Sequence, residues 1–117
     1  MHLMVDAIAT RPLSVKVVRY FLRECPTELG MHIVSGPNVV ARGTTIDGIV
    51  IIAESHISVH VIKNQVALDI FSCKEFDLVK LREYAMSKLS LREYNVRFIK
   101  RLIEPSPEGF YNGSVLF

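Results

Sequence analysis

The alternation of residue types between His56 and Ile62 constrains the fold more than any other part of the sequence. Two histidines and a serine alternate there with three β-branched aliphatic residues. Successive side chains of a strand point to opposite faces, so His56, Ser58 and His60 share one face and the aliphatic residues the other. The pattern predicts a strand that packs one face on a core and presents a site on the other.

The rest of the chain predicts six strands and two helices in the order β-α-β-β-β-β-α-β. The strands are predicted at residues 2–9, 31–40, 44–53, 56–62, 66–71 and 94–103, and the helices at residues 12–24 and 76–89. Residues 63–65 form a short turn that makes the fourth and fifth strands a hairpin, and residues 35–38 predict a bulge or turn. Pro12 is expected at the first helical position, and the helix is expected to end before Pro26.

Hairpin-connected strands combined with two helices favour an α+β fold. The specific prediction is a two-layer α/β sandwich, in which both helices cover one face of an antiparallel sheet. The other face then carries the His56–His60 site, together with Asp69, Phe71 and Cys73 if the fifth strand is in register. This mixed polar and apolar face needs cover, so we expect a homodimer formed by two-fold pairing.

The composition fits a single domain over residues 1–117, of which 50% are hydrophobic. The net charge of +2 comes from 14 basic and 12 acidic residues, and this balance gives no indication of nucleic-acid binding. Cys25 and Cys73 are too few for a disulfide framework and lack the spacing of a zinc site, so no metal is predicted. No leader peptide and no apolar run of about 20 residues is visible, which favours a cytoplasmic protein without a membrane segment.

Four segments carry a family resemblance. They read His2-Leu3-Met4-Val5-Asp6, Gly48-Ile49-Val50-Ile51-Ile52, Ala53-Glu54-Ser55-His56-Ile57-Ser58-Val59-His60 and Leu68-Asp69-Ile70-Phe71-Ser72-Cys73. In this order and spacing they resemble the prokaryotic S-adenosylmethionine decarboxylase family, and the resemblance covers most of the chain. Each segment alone has an ordinary structural explanation, such as a turn serine or a buried cysteine, whereas the combination favours a site.

The resemblance implies a pyruvoyl-dependent decarboxylase of polyamine biosynthesis that processes itself. The Ser55 hydroxyl would attack the Glu54 carbonyl, and elimination of the resulting ester would leave a pyruvoyl group at residue 55. The chain would thereby split into residues 1–54 and 55–117. The pyruvoyl ketone would form a Schiff base with the amino group of an amino-acid-type substrate and accept electrons as carbon dioxide leaves.

Three residues match the catalytic positions of the family. Ser55 is the nucleophile and the precursor of the cofactor. His60 would take a proton during ester elimination, because imidazole titrates near neutrality. Cys73 would return a proton to the carbon that lost its carboxylate. His56 is expected only to hold the turn, and Cys25 is expected to be structural.

Two departures from the family pattern affect the substrate. Members usually continue Thr-Trp-Pro-Glu after the second histidine, whereas residues 61–65 here read Val-Ile-Lys-Asn-Gln, so Asn64 replaces a ribose-binding carboxylate. Asp47 stands before Gly48 where members usually have a serine or threonine whose hydroxyl is linked to processing, so a carboxylate there would either hinder ester formation near Glu54 or bind a cationic substrate. Asp47 and Asp69 are candidates to bind a cationic substrate, and Phe71 to contact a nucleoside. S-adenosylmethionine is the first choice of substrate, arginine or ornithine is the alternative, and a regulatory paralogue that never cleaves is a third hypothesis.

Overall fold

The computed structural model describes residues 1–53 and 55–101. The predicted order of elements is confirmed. The elements are β1 (His2–Ala9), α1 (Val15–Glu28), β2 (Ile33–Arg42), β3 (Thr45–Ile52), β4 (Ser55–Ile62), β5 (Gln65–Ser72), α2 (Leu78–Lys88) and β6 (Leu91–Ile99). Glu54 and the predicted tail from Pro105 onward lie outside the described residues.

The six strands form one sheet in the order β2-β3-β4-β5-β1-β6, and every neighbouring pair is antiparallel. Both helices pack on the same face of the sheet, where the rings of Phe21 on α1 and Tyr84 on α2 lie 5.6 Å apart. The predicted α+β sandwich is therefore confirmed. None of the helices in these described ranges is both long and apolar enough to cross a membrane.

The core lies between the helices and the sheet, and strand alternation builds it. Ile57, Val59 and Val61 of β4 are almost completely buried on the helix side. Their polar neighbours along the strand consequently lie on the opposite, uncovered face, as the alternation predicts. Cys25 of α1 is also fully buried, and burial raises the pKa of its thiol to about 12. This cysteine stays protonated at neutral pH, in agreement with a structural role.

Gly48 allows α1 to approach β3 closely. A Cβ atom added at this position would lie 2.6 Å from Cδ1 of Leu22 and 3.2 Å from Cγ1 of Val18, both on α1. Such a separation is far below van der Waals contact, and both helix residues are fully buried. The absence of a side chain at Gly48 therefore sets the height of α1 above the strand that also carries Asp47.

The boundaries of α1 differ from the predicted ones at both ends. Ser14 is the N-cap, and its hydroxyl accepts a hydrogen bond from the Val17 N–H at 3.2 Å, so Pro12 precedes the helix. Pro26 lies inside the helix because the last turn is closed by the Leu29 N–H, which reaches the carbonyls of Cys25 and Pro26 at 3.1 Å. A proline near the C-terminal end removes one hydrogen bond without ending the helix there.

Two strands also differ from their predicted limits. β6 begins at Leu91, three residues before the predicted start, and β2 begins at Ile33. Register shifts between β2 and β3 at Ile33–Ser35 and Ser35–Asn38 confirm the predicted irregularity in β2.

Candidate active site

The junction between β3 and β4 carries the predicted cleavage point. Ile52 and Ser55 pair across the two strands, so only two residues separate them. Ser55 has a φ angle of 150°, a value that residues with a side chain rarely adopt. Such a backbone conformation costs on the order of 1–3 kcal/mol and persists only where the surroundings impose it. The residue expected to cleave the chain is therefore held in a strained conformation.

His56 is the histidine that contacts the Ser55 hydroxyl. Oγ of Ser55 lies 3.2 Å from Nδ1 of His56, within hydrogen-bonding distance. The sequence interpretation gave His56 only a role in the turn and assigned the proton transfer to His60. The sequence did contain a signal for this contact, namely that His56 directly follows Ser55.

Ser72 fixes the chain next to Cys73. It pairs with Ser55 across β4 and β5, and it is completely buried. Its hydroxyl donates to the Lys74 carbonyl at 2.8 Å and accepts from the Lys74 N–H at 3.0 Å, which turns the chain after β5. Cys73 lies in this turn with an exposed, free thiol. The two residues predicted to act on substrate, Ser55 and Cys73, thus lie at the same end of the sheet.

An aromatic and basic cluster surrounds this end on the uncovered face. Phe71 pairs with His56, and their ring centroids lie 5.7 Å apart in an edge-on arrangement. The ring of His2 lies 5.8 Å from Phe71 on its other side, and the Arg101 guanidinium lies 4.5 Å above the Phe71 ring. Asp69 lies two residues before Phe71 on the same face of β5, and its Oδ1 is 3.6 Å from Nε2 of His2. The predicted sharing of one face by His56, Asp69 and Phe71 is confirmed.

A second group of predicted residues lies at the other end of β4. Asp47 on β3 faces His60 on β4, and its Oδ1 contacts Nδ1 of His60. Oδ2 of Asp47 lies 3.6 Å from the Arg42 guanidinium. The hydrogen bond with His60 is the main cause that holds the pKa of Asp47 below its ordinary value. An open cavity of about 330 Å³ borders both residues on the uncovered face, and a second one of about 510 Å³ borders His60.

The two groups do not meet within one chain. His60 is five residues along β4 from Ser55, which corresponds to roughly 17 Å at the rise of a strand. Asn64 lies in the turn beyond β4, where its carbonyl accepts a hydrogen bond from the Ala9 N–H at 2.8 Å. The extended strand therefore separates His60 from Ser55 of its own chain, and the role of His60 in ester elimination stays a prediction. Asn64 likewise follows the far end of β4 from Ser55, and its contact with a substrate stays a prediction.

Comparison with known proteins supports the resemblance seen in the sequence. The family model described as S-adenosylmethionine decarboxylase matches residues 1–102. The S-adenosylmethionine decarboxylase proenzyme of Thermococcus onnurineus is 40% identical over 70 residues, covering 57% of this chain and 50% of that protein. The proenzyme of Pyrococcus abyssi is 41% identical over 68 residues, covering 56% and 49%. These matches span about half the length of the curated relatives.

A solved structure shares the fold. The crystal structure of the adenosylmethionine decarboxylase from Aquifex aeolicus superimposes with a TM-score of 0.63 at 17% identity, covering 82% of this chain and 84% of that one. Its likeness concerns the arrangement of strands and helices. The family match over residues 1–102 and the shared fold lead to one assignment: the chain belongs to the S-adenosylmethionine decarboxylase family.

Proposed function

We propose that the protein is a self-processing, pyruvoyl-dependent S-adenosylmethionine decarboxylase of polyamine biosynthesis. The observation that carries the proposal is the state of Ser55. This residue has a strained φ of 150°, begins the strand after the Glu54-Ser55 bond, and places its hydroxyl 3.2 Å from a histidine nitrogen. Membership of the S-adenosylmethionine decarboxylase family supports the proposed reaction class.

Self-processing uses these groups in sequence. His56 takes the proton of the Ser55 hydroxyl, and the oxygen attacks the carbonyl carbon of residue 54, which exchanges the amide bond for an ester. Loss of the Cα proton of residue 55 then breaks the ester, and the chain separates with a new carboxylate at Glu54. Addition of water and release of ammonia convert residue 55 into the pyruvoyl group. Release from the strained conformation of Ser55 favours the first step.

The surroundings of Ser55 fit a pyruvoyl group and its substrate. Once formed, the group supplies an electron sink for the carbanion that decarboxylation creates. The exposed thiol of Cys73 lies at the same end of the sheet and serves as the proton donor to the substrate carbon. Arg101, His2 and His56 surround Phe71 with positive or potentially positive groups, which suits the carboxylate of an amino-acid-type substrate.

S-adenosylmethionine is favoured over arginine or ornithine because the acidic residues that could bind a basic side chain already have partners within the protein. Asp47 is already paired with His60 and Arg42, so its carboxylate is not free to bind a cationic side chain. Asp69 lies close to His2. Phe71 offers an aromatic ring for contact with a sulfonium or a purine. The basic amino acids and the regulatory paralogue remain as alternatives that the experiment below distinguishes.

A homodimer completes the site in this proposal. The uncovered sheet face exposes Val40, Ile49, Ile51 and Ile62 by 38–49% of their surface, an apolar content that favours association. In the proposed dimer, the two-fold axis brings the Asp47–His60 end of one chain over the Ser55 end of the other. His60 of the partner subunit then reaches the ester at residue 55, which His60 of the same chain does not. The two free cysteines suit a reducing compartment such as the cytoplasm.

Intact mass under denaturing conditions tests the proposal. The purified protein should show two chains divided between residues 54 and 55, and Ser55→Ala should show one. Ser58→Ala is the matched control, because it removes a hydroxyl from the same strand away from the junction, and it should still cleave. A wild-type protein that stays full length after long incubation would refute self-processing and favour the regulatory paralogue.

Release of labelled carbon dioxide identifies the substrate. The cleaved protein should release it from S-adenosylmethionine and not from arginine or ornithine. Release from arginine or ornithine alone would overturn the choice of substrate while leaving the reaction class intact.

A further inference from the structure

We infer that Asp47 is a positioning residue that fixes the ring tautomer of His60 and leaves Nε2 of that ring as a proton acceptor. The inference deepens the proposed function, because its catalytic consequence rests on His60 acting as a base. The contacts that support it are those of the Asp47 carboxylate with His60 and Arg42.

The backbone register brings the two side chains together. Asp47 and His60 are directly opposite on the antiparallel strands β3 and β4, and both side chains lie on the uncovered face. Oδ1 of Asp47 contacts Nδ1 of His60, and Oδ2 of the same carboxylate lies 3.6 Å from the Arg42 guanidinium at the end of β2. Each carboxylate oxygen therefore has its own partner, which restricts rotation of the Asp47 side chain.

The chemistry of the two groups determines where the proton lies. An ionised carboxylate only accepts hydrogen bonds, so Nδ1 of His60 carries the hydrogen in this contact. In the neutral imidazole the other nitrogen, Nε2, then has a free lone pair. A carboxylate behind a histidine in this way holds the ring in the tautomer and orientation that a general base needs. The serine or threonine usual in the family at this position both donates and accepts, and so leaves the tautomer open.

The other charged groups near His60 are engaged elsewhere. Asp6 of β1 borders the cavity beside His60 and pairs with Arg97 of β6 at 3.1 Å. Asp69 of β5 borders the second cavity beside His60 and lies 3.6 Å from His2. Within residues 1–53 and 55–101, Asp47 is the carboxylate that touches the His60 ring. The tautomer of His60 therefore depends on this one contact.

Nitrogen-15 NMR of the histidine side chains tests the tautomer independently of activity. The measurement uses the full Ser55→Ala chain, which stays uncleaved, at a pH where His60 is neutral. His60 should show the pattern of a protonated Nδ1, and Asp47→Asn in the same background should shift the ring towards a mixture of tautomers. Asp6→Asn is the matched control, since it removes an arginine-paired carboxylate from the same face, and it should leave the His60 pattern unchanged. A neutral His60 ring that carries its proton on Nε2 in the Ser55→Ala chain would overturn the inference.

The rate of self-cleavage supplies the second readout. In chains with an intact Ser55, Asp47→Asn should slow cleavage by about 10- to 100-fold, the effect typical of losing a carboxylate that orients a metal-binding histidine. Cleavage of Asp47→Asn at the parent rate would refute the positioning role. If the Ser55→Ala chain shows the expected tautomer but the chain with an intact Ser55 never cleaves, the proposed function is refuted and the inference about Asp47 stands.

Discussion

Mixing two inactive variants tests whether the site is shared between subunits. Ser55→Ala removes the proposed nucleophile, and His60→Ala removes the proposed base, which lies roughly 17 Å along the same strand. If His60 acts across the dimer, a heterodimer of the two variants has one complete site. This site combines Ser55 of the His60→Ala chain with His60 of the Ser55→Ala chain. The second site of the same heterodimer lacks both groups.

The expected yield follows from random pairing. Equal amounts of the two chains form heterodimers in about half of the dimers. About half of the His60→Ala chains should then cleave, or about a quarter of all chains in the mixture. Ser55→Ala alone should not cleave, and His60→Ala alone should cleave at least tenfold more slowly than the parent, because loss of a positioned general base typically costs about 10²–10⁴ in rate.

Coexpression of differently tagged chains, followed by denaturing mass spectrometry, measures this fraction. The control pairs Ser55→Ala with His56→Ala. Because His56 contacts Ser55 within one chain at 3.2 Å, that pair should not complement. Absence of cleavage in the first mixture, in samples where tag capture demonstrates heterodimers, would refute the shared site. Parent-like cleavage by His60→Ala alone would exclude His60 from processing altogether.

Three further predictions concern stability, turnover and pH. Gly48→Ala should destabilise the fold by about 1–3 kcal/mol in urea unfolding, because the new methyl group would lie 2.6 Å from Leu22, and most of this loss should disappear in a Leu22→Val background. Cys73→Ala should still cleave but should release carbon dioxide far more slowly in a single-turnover assay, and unchanged turnover would remove Cys73 from the site. The pKa of Asp47 is lowered in the folded protein, mainly by its hydrogen bond with His60. This contact therefore stabilises the fold fully at pH values above the ordinary pKa of an aspartate, about 4. The stabilisation is lost as the pH falls through the lowered pKa. The stability difference between the parent and Asp47→Asn, followed by thermal unfolding, should therefore shrink as the pH falls from about 6 to 3, and a difference that grows would contradict the assignment.

The fold was predictable where local alternation and burial act together. The alternation of Ile57, Val59 and Val61 with polar residues specified which face of β4 is buried, because a shift by one residue would reverse every side chain. The end of α1 was less predictable. Pro26 normally signals a helix end, yet backbone hydrogen bonds to the Leu29 N–H close the last turn around it. Such bonds depend on the geometry of the finished turn, which residue preferences describe only on average.

The site was predictable in its composition and less so in its arrangement. The spacing predicted that Ser55 and Cys73 lie at one end of the sheet, since Ser55 begins β4 and Cys73 follows the end of β5, the hairpin neighbour of β4. The same spacing gave no distance between Ser55 and His60, which only the extended conformation of β4 sets. The contact of Asp47 with His60 depends on the register between β3 and β4, and that register follows from the length of the connection between them.

The strand order has a consequence for the two pieces that cleavage would produce. Residues 1–54 contain β1, β2 and β3, whereas residues 55–117 contain β4, β5 and β6. Because β1 lies between β5 and β6, the first piece is interleaved with the second and shares three strand borders with it. The pieces would therefore stay together without a covalent link and separate only by unfolding. Refolding of the intact chain involves one molecule, but refolding after cleavage requires two to meet, so recovery would then depend on protein concentration.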